Sequence, residues 1–432
     1  MVIRLRRGAL CAVIAALLTA GASSPVHAAG FSIFEQGARG MGFASAFTAV
    51  ANDPSAIYYN AGGIGFLKGK RLYFGGAMQW PSFDFAGADP FPGTTSTATS
   101  DSSRIDMVQG YYTHQFSERM VFGLGFHTPF ALKTDWADRD RFPGRFIAQI
   151  TNLKSMSVNP TVGYKLADRF SVGVGLDFRL ARLDTRRKIP LINPFTQQVA
   201  DVGRANIDTD TATGIGFNIG VLARPSDEWS VGLSYRHQVS VDFSGGTVYD
   251  IIPTGNTQLD TLVAATLPQG TTPLTTTLTF PGSFSGGLAY DTDNWTFSGQ
   301  ADYTQWSTFD TLAIVYPTRP ELSQTITQAY TNTWDFRLGV ERRLTRVWAV
   351  RAGYSHEPSP VPPESVSPFL PDSSRSGVSA GGSWTNGRAR LDLGLRYVIG
   401  SERSTEGRSR DAFEGTYKAG GIAFAASFGY EF

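Results

Sequence analysis

Cysteine, charged residues and long apolar runs are all scarce in this sequence of 432 residues. The single cysteine excludes a disulfide framework and a CxxC zinc site. Charged residues make up 17% of the chain and the formal net charge is +1, so there is no basic footprint for nucleic acid. A mean hydropathy of −0.13 excludes a bundle of transmembrane helices.

Glycine and aromatic residues are abundant instead. The chain contains 47 glycines, 30 phenylalanines, 16 tyrosines and 8 tryptophans. This mixture is unusual for a soluble enzyme, in which charged residues average about 25%. It favours a large all-β protein, including one that meets lipid.

Residues 1–28 have the features of an export signal. Arginines within residues 4–7 precede an apolar core at 8–22, which is shorter than the roughly 20 residues that span a bilayer. Small residues then lead to Ala28, after which we expect cleavage. Cys11 lies in the apolar core, so the exported chain would contain no cysteine and would not be a lipoprotein. The short core disfavours the alternative of an anchor helix.

Apolar residues alternate with small or charged residues along many later segments. In residues 170–180 the even positions are apolar and the odd ones are small or charged. The same alternation occurs in 334–341, 391–397 and 422–432. A soluble β-sandwich alternates too, with its apolar face inward, so the pattern alone leaves both classes open.

The links between candidate strands alternate between short and long. Fourteen candidates lie near residues 69–85, 104–116, 119–133, 145–166, 169–184, 206–223, 229–244, 273–290, 295–308, 329–343, 347–356, 374–384, 388–400 and 416–432. Short links occur at 117–119, 167–169, 224–228, 291–294, 344–346 and 385–387. Short turns at one end and long loops at the other are typical of outer-membrane barrels. The sequence therefore predicts a 14-stranded antiparallel transmembrane β-barrel over residues 69–432.

The C-terminal strand and three of the tryptophans also favour an outer-membrane barrel. The last candidate strand ends on Phe432, and a terminal aromatic on an amphipathic strand is the usual assembly signal of outer-membrane barrels. Trp229, Trp295 and Trp348 each begin a strand beside a short link, as in an interfacial girdle. We therefore expect a location in the bacterial outer membrane, with barrel-assembly machinery, outer-membrane lipid and lipopolysaccharide as partners.

Residues 29–68 lack the strand pattern and precede the first strand. They are rich in glycine and alanine, and their apolar side chains include Phe31, Ile33, Phe34, Met41, Phe43, Phe47, Tyr58 and Tyr59. A solvated periplasmic tail would be less apolar. The segment is therefore predicted to be a plug, or hatch, inside the barrel.

Several motifs occur in the order found in one known family. They are AGF at 29–31, DPSAIYYNAGGI at 53–64, FGLGFHTPFALKTDW at 122–136, the stretch 142–178, and PDSSRSGVSAGGSW at 371–384. In these the chain resembles FadL-type outer-membrane transporters of long-chain fatty acids and other hydrophobic compounds. The resemblance extends over nearly the whole chain after residue 28.

The resemblance implies a barrel closed by its hatch, passive capture of substrate at extracellular loops, and lateral exit through a gap in the wall. The hatch and ligand residues expected on this basis are Ala29, Gly30, Phe31, Phe34, Asn60, Ala61 and Gly62. The family's hatch usually carries Asn-Pro-Ala where this chain has Asn60-Ala61-Gly62. A hatch movement that depends on a rigid proline turn is therefore not implied here.

The family's gap arises at an inward kink in the third strand. The matching residues are Gly123, Gly125, Phe126 and Pro129. Proline removes a ladder donor and glycines permit bulges, so a local break is physically reasonable. The alternative is that Pro129 marks only the outer end of the strand.

Two further sets of residues are candidates for ligand contact. Leu259, Leu262, Val263 and Leu267 have helical spacing in a long loop and would form an exposed capture patch, unless the loops pack on one another. Lumen-side Arg179, Arg337, Arg351 and Arg396 could neutralise a fatty acid carboxylate, unless they pair with Asp177, Asp335 and Glu341.

Enzymatic function is not expected. A lipid hydrolase needs a Ser-His pair, and only His114, His127, His237 and His356 follow the signal; His127, beside the kink, has the best claim to a role. No H-E-x-x-H or P-loop motif occurs, and no metal or cofactor is predicted. Uptake of fatty acids is favoured, with aromatic hydrocarbon uptake, a general porin and, remotely, a lipid hydrolase as alternatives.

Overall fold

The alternating segments form strands that pair in order around a closed barrel. The computed structural model describes residues 30–101, 103–193 and 197–432, so the predicted signal peptide lies outside the described residues. The described residues contain a 14-stranded antiparallel barrel, which confirms the predicted fold class.

Most barrel strands are continuous, and four of them consist of two segments. The strands are β1 Lys70–Gly87, β2 Ile105–Gln115, β3 Met120–His127 with Ala131–Asp135, β4 Ile150–Ala167, β5 Phe170–Ile192, β6 Val199–Thr209 with Ala212–Ala223, β7 Trp229–Arg236 with Val239–Ile251, β8 Thr271–Phe280 with Ser283–Asp291, β9 Trp295–Thr304, β10 Thr333–Arg343, β11 Trp348–Glu357, β12 Arg375–Asn386, β13 Ala389–Gly400 and β14 Gly415–Glu431. Four short strands lie in loops, at Thr97–Thr99, Thr311–Val315, Gln324–Thr327 and Glu402–Ser404.

The first and last strands close the barrel. β1 pairs with β14 from Arg71 opposite Glu431 to Gly87 opposite Gly415. The backbone N–H of Phe432 donates to the carbonyl of Lys70 at 2.9 Å, which extends this ladder to the last residue. Closure means that neither the first nor the last strand is a free edge of the main sheet.

The apolar face of the strands points outward. In β5, Val174 and Leu176 are 51% and 50% exposed, whereas Asp177 and Arg179 are 0% exposed. In β10, Phe336 is exposed and its neighbour Arg337 is buried. A soluble sandwich would bury the apolar face, so this arrangement identifies a barrel with an apolar outer surface.

The six predicted short links all appear as tight connections, and the Trp residues that follow three of them lie at strand starts.

Residues 185–205, which separate the fifth and sixth candidate strands, form a protruding hairpin and not an open loop, because β5 runs to Ile192 and β6 begins at Val199. Polar pairs such as Arg186 with Asn206 (2.8 Å) hold the hairpin. Its strands have polar residues on both faces, so the alternating pattern did not reveal them.

Residues 30–68 are packed against the inner faces of the strands. They form α1 Ala38–Gly42, α2 Ala56–Tyr59 and a 3-10 helix Ala61–Phe66. Most of their side chains are buried, including Met41, Phe43 and Ile57 at 0% exposure. We call residues 30–68 the N-terminal segment.

Inward-facing glycines admit the backbone of the N-terminal segment. A Cβ atom on Gly173 of β5 would overlap the Ala61 carbonyl, and one on Gly232 of β7 would overlap the Thr48 carbonyl. The glycine excess of the sequence thus has a direct steric cause. Among the described residues, no helix is long and apolar enough to cross a membrane.

Candidate functional site

The third strand is interrupted in its middle. Its first segment ends at His127, and its second resumes at Ala131, with both segments paired to β4. The register shifts across the break, so that Thr128, Pro129 and Phe130 lie opposite only two residues of β4. Pro129 therefore lies inside the strand and not merely at its outer end.

The neighbouring strand leaves a gap beside this break. β2 pairs with β1 from Ile105 onward, but its pairing with β3 covers only Gly110–Gln115. Within the described part of the chain, residues 105–109 have no strand partner on the β3 side. Side chains and the N-terminal segment must therefore complete the wall here.

The N-terminal segment supplies the missing hydrogen bonds. Ser32 forms an antiparallel bridge with Phe130, and the Ile33 N–H donates to the Pro129 carbonyl at 2.9 Å. The side-chain amide of Gln36 donates through Nε2 to the Thr128 carbonyl and accepts through Oε1 from the Thr128 N–H at 3.1 Å. The interruption is thus satisfied by residues that do not belong to the barrel.

An apolar cavity lies on the long-loop side of Phe31. Its wall contains nine apolar side chains and Thr151, with Leu132 from β3 and Phe309, Phe369 and Leu370 from the long loops. Its volume is about 20 Å³, which is space for about one water-sized group. An alkyl chain or aromatic ring would have to displace side chains to enter.

Aromatic rings separate this apolar cavity from a second cavity beside the break. Phe31 packs edge-on against Trp306 at 4.8 Å and against Phe130 at 5.9 Å between ring centroids. The second cavity, which we call the kink cavity, also measures about 20 Å³ and is lined by Phe130, Pro129 and Arg236 among others.

One loop over the apolar cavity contains a buried acid. Asp372 precedes β12, is 3% exposed and accepts a hydrogen bond from Ser359 Oγ at 2.6 Å. Burial raises the pKa of Asp372 to about 6. The nearby Trp136 indole N–H donates to the Pro368 carbonyl at 3.0 Å, which holds the same loop against β3.

The predicted hatch residues occupy the interior, with the exception of Ala29, which lies outside the described residues. Gly30 approaches the Trp306 ring so closely that a Cβ would overlap it. Phe31 borders the apolar cavity, and Phe34 borders the kink cavity. The Arg337 guanidinium lies 3.9 Å from the Phe34 ring centroid.

Asn60, Ala61 and Gly62 form a turn against β5 and β6 without proline. The Asn60 amide donates to the Thr48 and Val221 carbonyls at 2.9 Å, and its oxygen accepts from the Gly62 N–H at 3.0 Å. The last bond caps the 3-10 helix at its N-terminus. Hydrogen bonds of Asn60 therefore fix the turn that proline would otherwise stiffen.

The remaining β3 residues face different sides of the wall. Gly123 and Gly125 face inward, because a Cβ on either would meet Ile57 of α2 at 2.8 Å. Phe126 is 40% exposed on the outer face. His127 is fully buried, and neither ring nitrogen has a hydrogen-bond partner among the described residues.

The arginines expected to bind a carboxylate all have acidic partners. Arg179 pairs with Asp177 at 2.6 Å, and Arg351 pairs with Glu341 at 2.7 Å. Arg337 pairs with Asp302, Asp335 and Glu357, and Arg396 pairs with Glu35 and Glu357. Mutual pairing, the alternative left open by the sequence, thus applies to each of them.

The expected exposed capture patch is largely covered. The helical spacing does form a helix, α3 Thr257–Thr266, capped by Asn256. Leu259 and Val263 are buried against Val202, and Leu267 packs on the same cluster. Only Leu262 of the four is exposed, at 50%. The expectation of a wide exposed patch is wrong, because the protruding hairpin covers the apolar face of the helix.

A hydrolase-like spacing does not assemble a catalytic pair. Residues 377–381 read Gly-Val-Ser-Ala-Gly, but they lie within β12 and not on the strand–turn–helix elbow that such a nucleophile needs. Ser379 Oγ has no hydrogen-bond partner in the described part of the chain. A general base for this serine is therefore missing from its contacts.

Comparison with known proteins identifies the family. Residues 19–432 match the family described as outer membrane protein transport protein (OMPP1/FadL/TodX). The chain belongs to this family. It is 25% identical over 436 residues to the long-chain fatty acid transport protein of Escherichia coli O6:H1, covering 95% of this chain and 96% of that relative.

Solved structures of OMPP1/FadL/TodX proteins share the fold. A Pseudomonas aeruginosa FadL homologue matches with a TM-score of 0.81 at 19% identity, over 94% of this chain and 100% of that chain. The Ralstonia pickettii toluene transporter TbuX matches with a TM-score of 0.63 at 16% identity, over 88% and 94%. The predicted family and outer-membrane location are confirmed, and the chain is an outer-membrane transport protein.

Sequence reasoning within this OMPP1/FadL/TodX framework missed Arg236 at the kink cavity. Arg236 is 8% exposed, donates to Asp177 at 2.9 Å and to the Tyr58 carbonyl at 3.1 Å. A signal was available, since Arg236 shares the inward parity of Gly232 in β7. Arg179 reaches Asp177 from the same strand, β5, whereas Arg236 reaches it from β7, 59 positions along the chain.

Proposed function

We propose that the protein takes up hydrophobic compounds passively across the outer membrane, with long-chain fatty acids as the main substrate. The observation that carries this proposal is an interrupted wall strand whose gap is closed by the N-terminal segment next to an apolar cavity. The Escherichia coli relative named as a long-chain fatty acid transport protein, matched over 96% of its length, supports the choice of substrate.

In the proposed route, substrate first meets the extracellular long loops. Leu262 offers an exposed apolar contact there. The alkyl chain of the substrate then enters the apolar cavity, where displacement of Phe369 and Leu370 in the loop before β12 makes room. Burial of alkyl groups drives this step, at about 0.8 kcal/mol for each CH₂ removed from water.

In this proposal the N-terminal segment acts as a plug, and its first residues act as a gate. Ser32 and Ile33 bridge the break in β3 through only a few hydrogen bonds. Their withdrawal opens a lateral path between β2 and β3 into the lipid. The substrate then reaches the membrane without crossing the charged remainder of the lumen.

A disulfide across the gate tests this route. Ser32 and Phe130 are directly opposite each other in an antiparallel bridge. Such partners have Cα atoms about 4.5–5.5 Å apart, which suits a disulfide. The double variant Ser32→Cys/Phe130→Cys should lose uptake of radiolabelled oleate when oxidised and regain it on reduction, in cells lacking their own fatty acid transporter.

A matched disulfide elsewhere in the wall serves as the control. Ser240 and Thr279 contact each other at 2.9 Å on the exposed surface between β7 and β8. Oxidation of Ser240→Cys/Thr279→Cys should leave uptake unchanged. Full uptake through the oxidised gate variant would exclude lateral exit at β3, whereas toluene uptake without oleate uptake would favour the hydrocarbon alternative.

A further inference from the structure

Three clusters of ion pairs lie in the barrel, with most of their members buried, and two of them have no excess positive charge. The first contains Arg337, Arg375 and Arg396 together with Asp302, Asp335, Glu357 and Glu35, so acids outnumber arginines by one. The second contains Arg39, Arg343, Arg351 and Arg390 together with Asp53, Asp291, Glu341 and Asp392, and is balanced.

The third cluster carries an excess positive charge. Arg179 and Arg236 both pair with Asp177 through the same carboxylate oxygen, at 2.6 and 2.9 Å. No other acid among the described residues forms an ion pair with either arginine. All three side chains are buried, at 0%, 8% and 0% exposure for Arg179, Arg236 and Asp177. A buried, incompletely neutralised charge is costly unless it serves a partner.

Unused hydrogen-bonding capacity accompanies this charge. Arg179 Nη1 has no hydrogen-bond partner within the described residues, and the same holds for both ring nitrogens of His127. His127 lies 5.1 Å from Tyr58 between ring centroids, and the Arg236 guanidinium carbon lies 4.9 Å from the same tyrosine ring. Arg179 Nη1 and the two His127 nitrogens are thus polar atoms of this region without a partner among the described residues.

The cluster adjoins the proposed route. Arg236 lines the kink cavity together with Pro129 and Phe130. Arg179 lies behind Phe130, with its guanidinium carbon 4.9 Å from that ring. Phe31, packed on Phe130, separates this position from the apolar cavity. A molecule that crosses the ring of Phe31 would place one end in an apolar site and the other beside excess positive charge.

We propose that Arg236 and Arg179 form a carboxylate-binding subsite, which holds the head group of an aliphatic carboxylate whose tail lies in the apolar cavity. A carboxylate would neutralise the excess charge and accept charge-assisted hydrogen bonds from the two guanidinium groups. This inference rests on the proposed function and adds selection for an acidic head group. It also singles out Arg179, but not Arg337 or Arg351, among the arginines suggested by the sequence.

Two probes that differ only in the head group test the subsite. Equilibrium binding of oleate and of oleyl alcohol to the purified full chain in detergent isolates the contribution of the carboxylate, in an alkaline buffer that keeps it ionised. The unsubstituted protein should bind oleate about tenfold or more tightly than oleyl alcohol, as expected for charge-assisted hydrogen bonds.

Variants that change the cluster's charge should change this ratio in opposite directions. Arg236→Gln removes the excess charge and should bring the ratio close to one. Asp177→Asn increases the excess charge without changing side-chain size and should raise the ratio severalfold. Arg390→Gln is the control, since Arg390 lies in the balanced cluster and Asp392 keeps Arg351 as partner; it should leave the ratio unchanged.

Each outcome decides for or against the subsite. Folding of every variant is first verified by heat-modifiable migration in gels. An unchanged ratio in both Arg236→Gln and Asp177→Asn overturns the subsite. Equal binding of both probes by the unsubstituted protein also overturns it but leaves hydrophobic uptake intact, whereas binding of neither probe overturns the proposed function as well.

Discussion

At the scale of single residues, the lumen is shaped by where side chains are absent and by where charges are buried. Gly173 and Gly232 let the N-terminal segment touch the wall with its backbone. Asp372 is an acid held inside a loop that covers the apolar cavity. Both kinds of residue make predictions about stability that do not depend on the transported compound.

Replacing Gly173 with alanine should displace the N-terminal segment. The new Cβ would overlap the Ala61 carbonyl, which is backbone and cannot rotate away. Overpacking of this kind costs about 1–3 kcal/mol. Denaturant-induced unfolding should therefore shift to lower denaturant. Gly382→Ala is the control, because its Cβ would meet only the Ala349 carbonyl at 3.9 Å; equal shifts in the two variants would contradict the close contact.

Replacing Asp372 with asparagine should stabilise the protein in alkaline but not in acidic buffer. The folded state raises the pKa of Asp372 from 3.8 to about 6, so it binds the proton more tightly than the unfolded state does. Stability from this group is therefore present at low pH and lost as the pH rises through 6. Asp372→Asn should remove a cost of about 3 kcal/mol above that pH. This is checked by measuring the unfolding temperatures of both proteins in acidic and in alkaline buffer. The same difference in unfolding temperature in both buffers would contradict it.

At the scale of elements, tertiary contacts changed the meaning of two sequence patterns. The apolar spacing of residues 257–267 produced the expected helix α3, but the hairpin of β5 and β6 covers its apolar face. The third strand contains the expected proline, and its break is closed by the N-terminal segment. In both cases a local pattern predicted the element, whereas a distant segment determined its exposure.

Truncating one buried leucine of α3 should loosen the whole helix. Leu259 is 1% exposed, and removing a buried leucine side chain costs about 2–5 kcal/mol. Leu259→Ala should therefore accelerate amide hydrogen exchange throughout Thr257–Thr266. Leu262→Ala is the matched control, because Leu262 is 50% exposed and should leave exchange unchanged. Similar exchange in both variants would show that α3 is not held by its apolar face.

At the scale of the whole molecule, a 14-stranded barrel needs material in its lumen. Eight strands enclose only side chains, whereas sixteen to eighteen leave an aqueous channel. Residues 30–68 and the three ionic clusters occupy the interior here. The chain is an outer-membrane transport protein, and a filled lumen favours a selective route over a general porin.

Deleting residues 30–66 should convert the protein into an open pore. The full chain should show little conductance in planar bilayers, because the N-terminal segment fills the lumen. The deletion variant should show sizeable steps of conductance. Deletion of Thr257–Thr266 serves as the control, since α3 lies outside the barrel wall and its loss should leave conductance low. Sizeable conductance of the full chain, equal to that of the 30–66 deletion, would support a general porin.

The sequence by itself determined the number and order of the strands. Alternation of apolar and polar residues depends on residues two positions apart, and the length of each link depends only on adjacent residues. Both can therefore be recognised from the sequence alone. The same local pattern placed Pro129 within the third candidate strand, and the apolar content of residues 29–68 placed Phe31 in the interior. The hairpin of β5 and β6 could not be predicted from the sequence, because strands with polar residues on both faces show no alternation.

Only the tertiary structure decided which arginine keeps excess charge and which leucines face water. Arg236 and Asp177 are 59 positions apart, and their pairing depends on two inward positions meeting across the intervening strand β6. Leu259 is buried by Val202, which lies on a different strand. Net charge and burial at a point are sums over neighbours in space. The order of residues along the chain does not specify those neighbours until the barrel has closed.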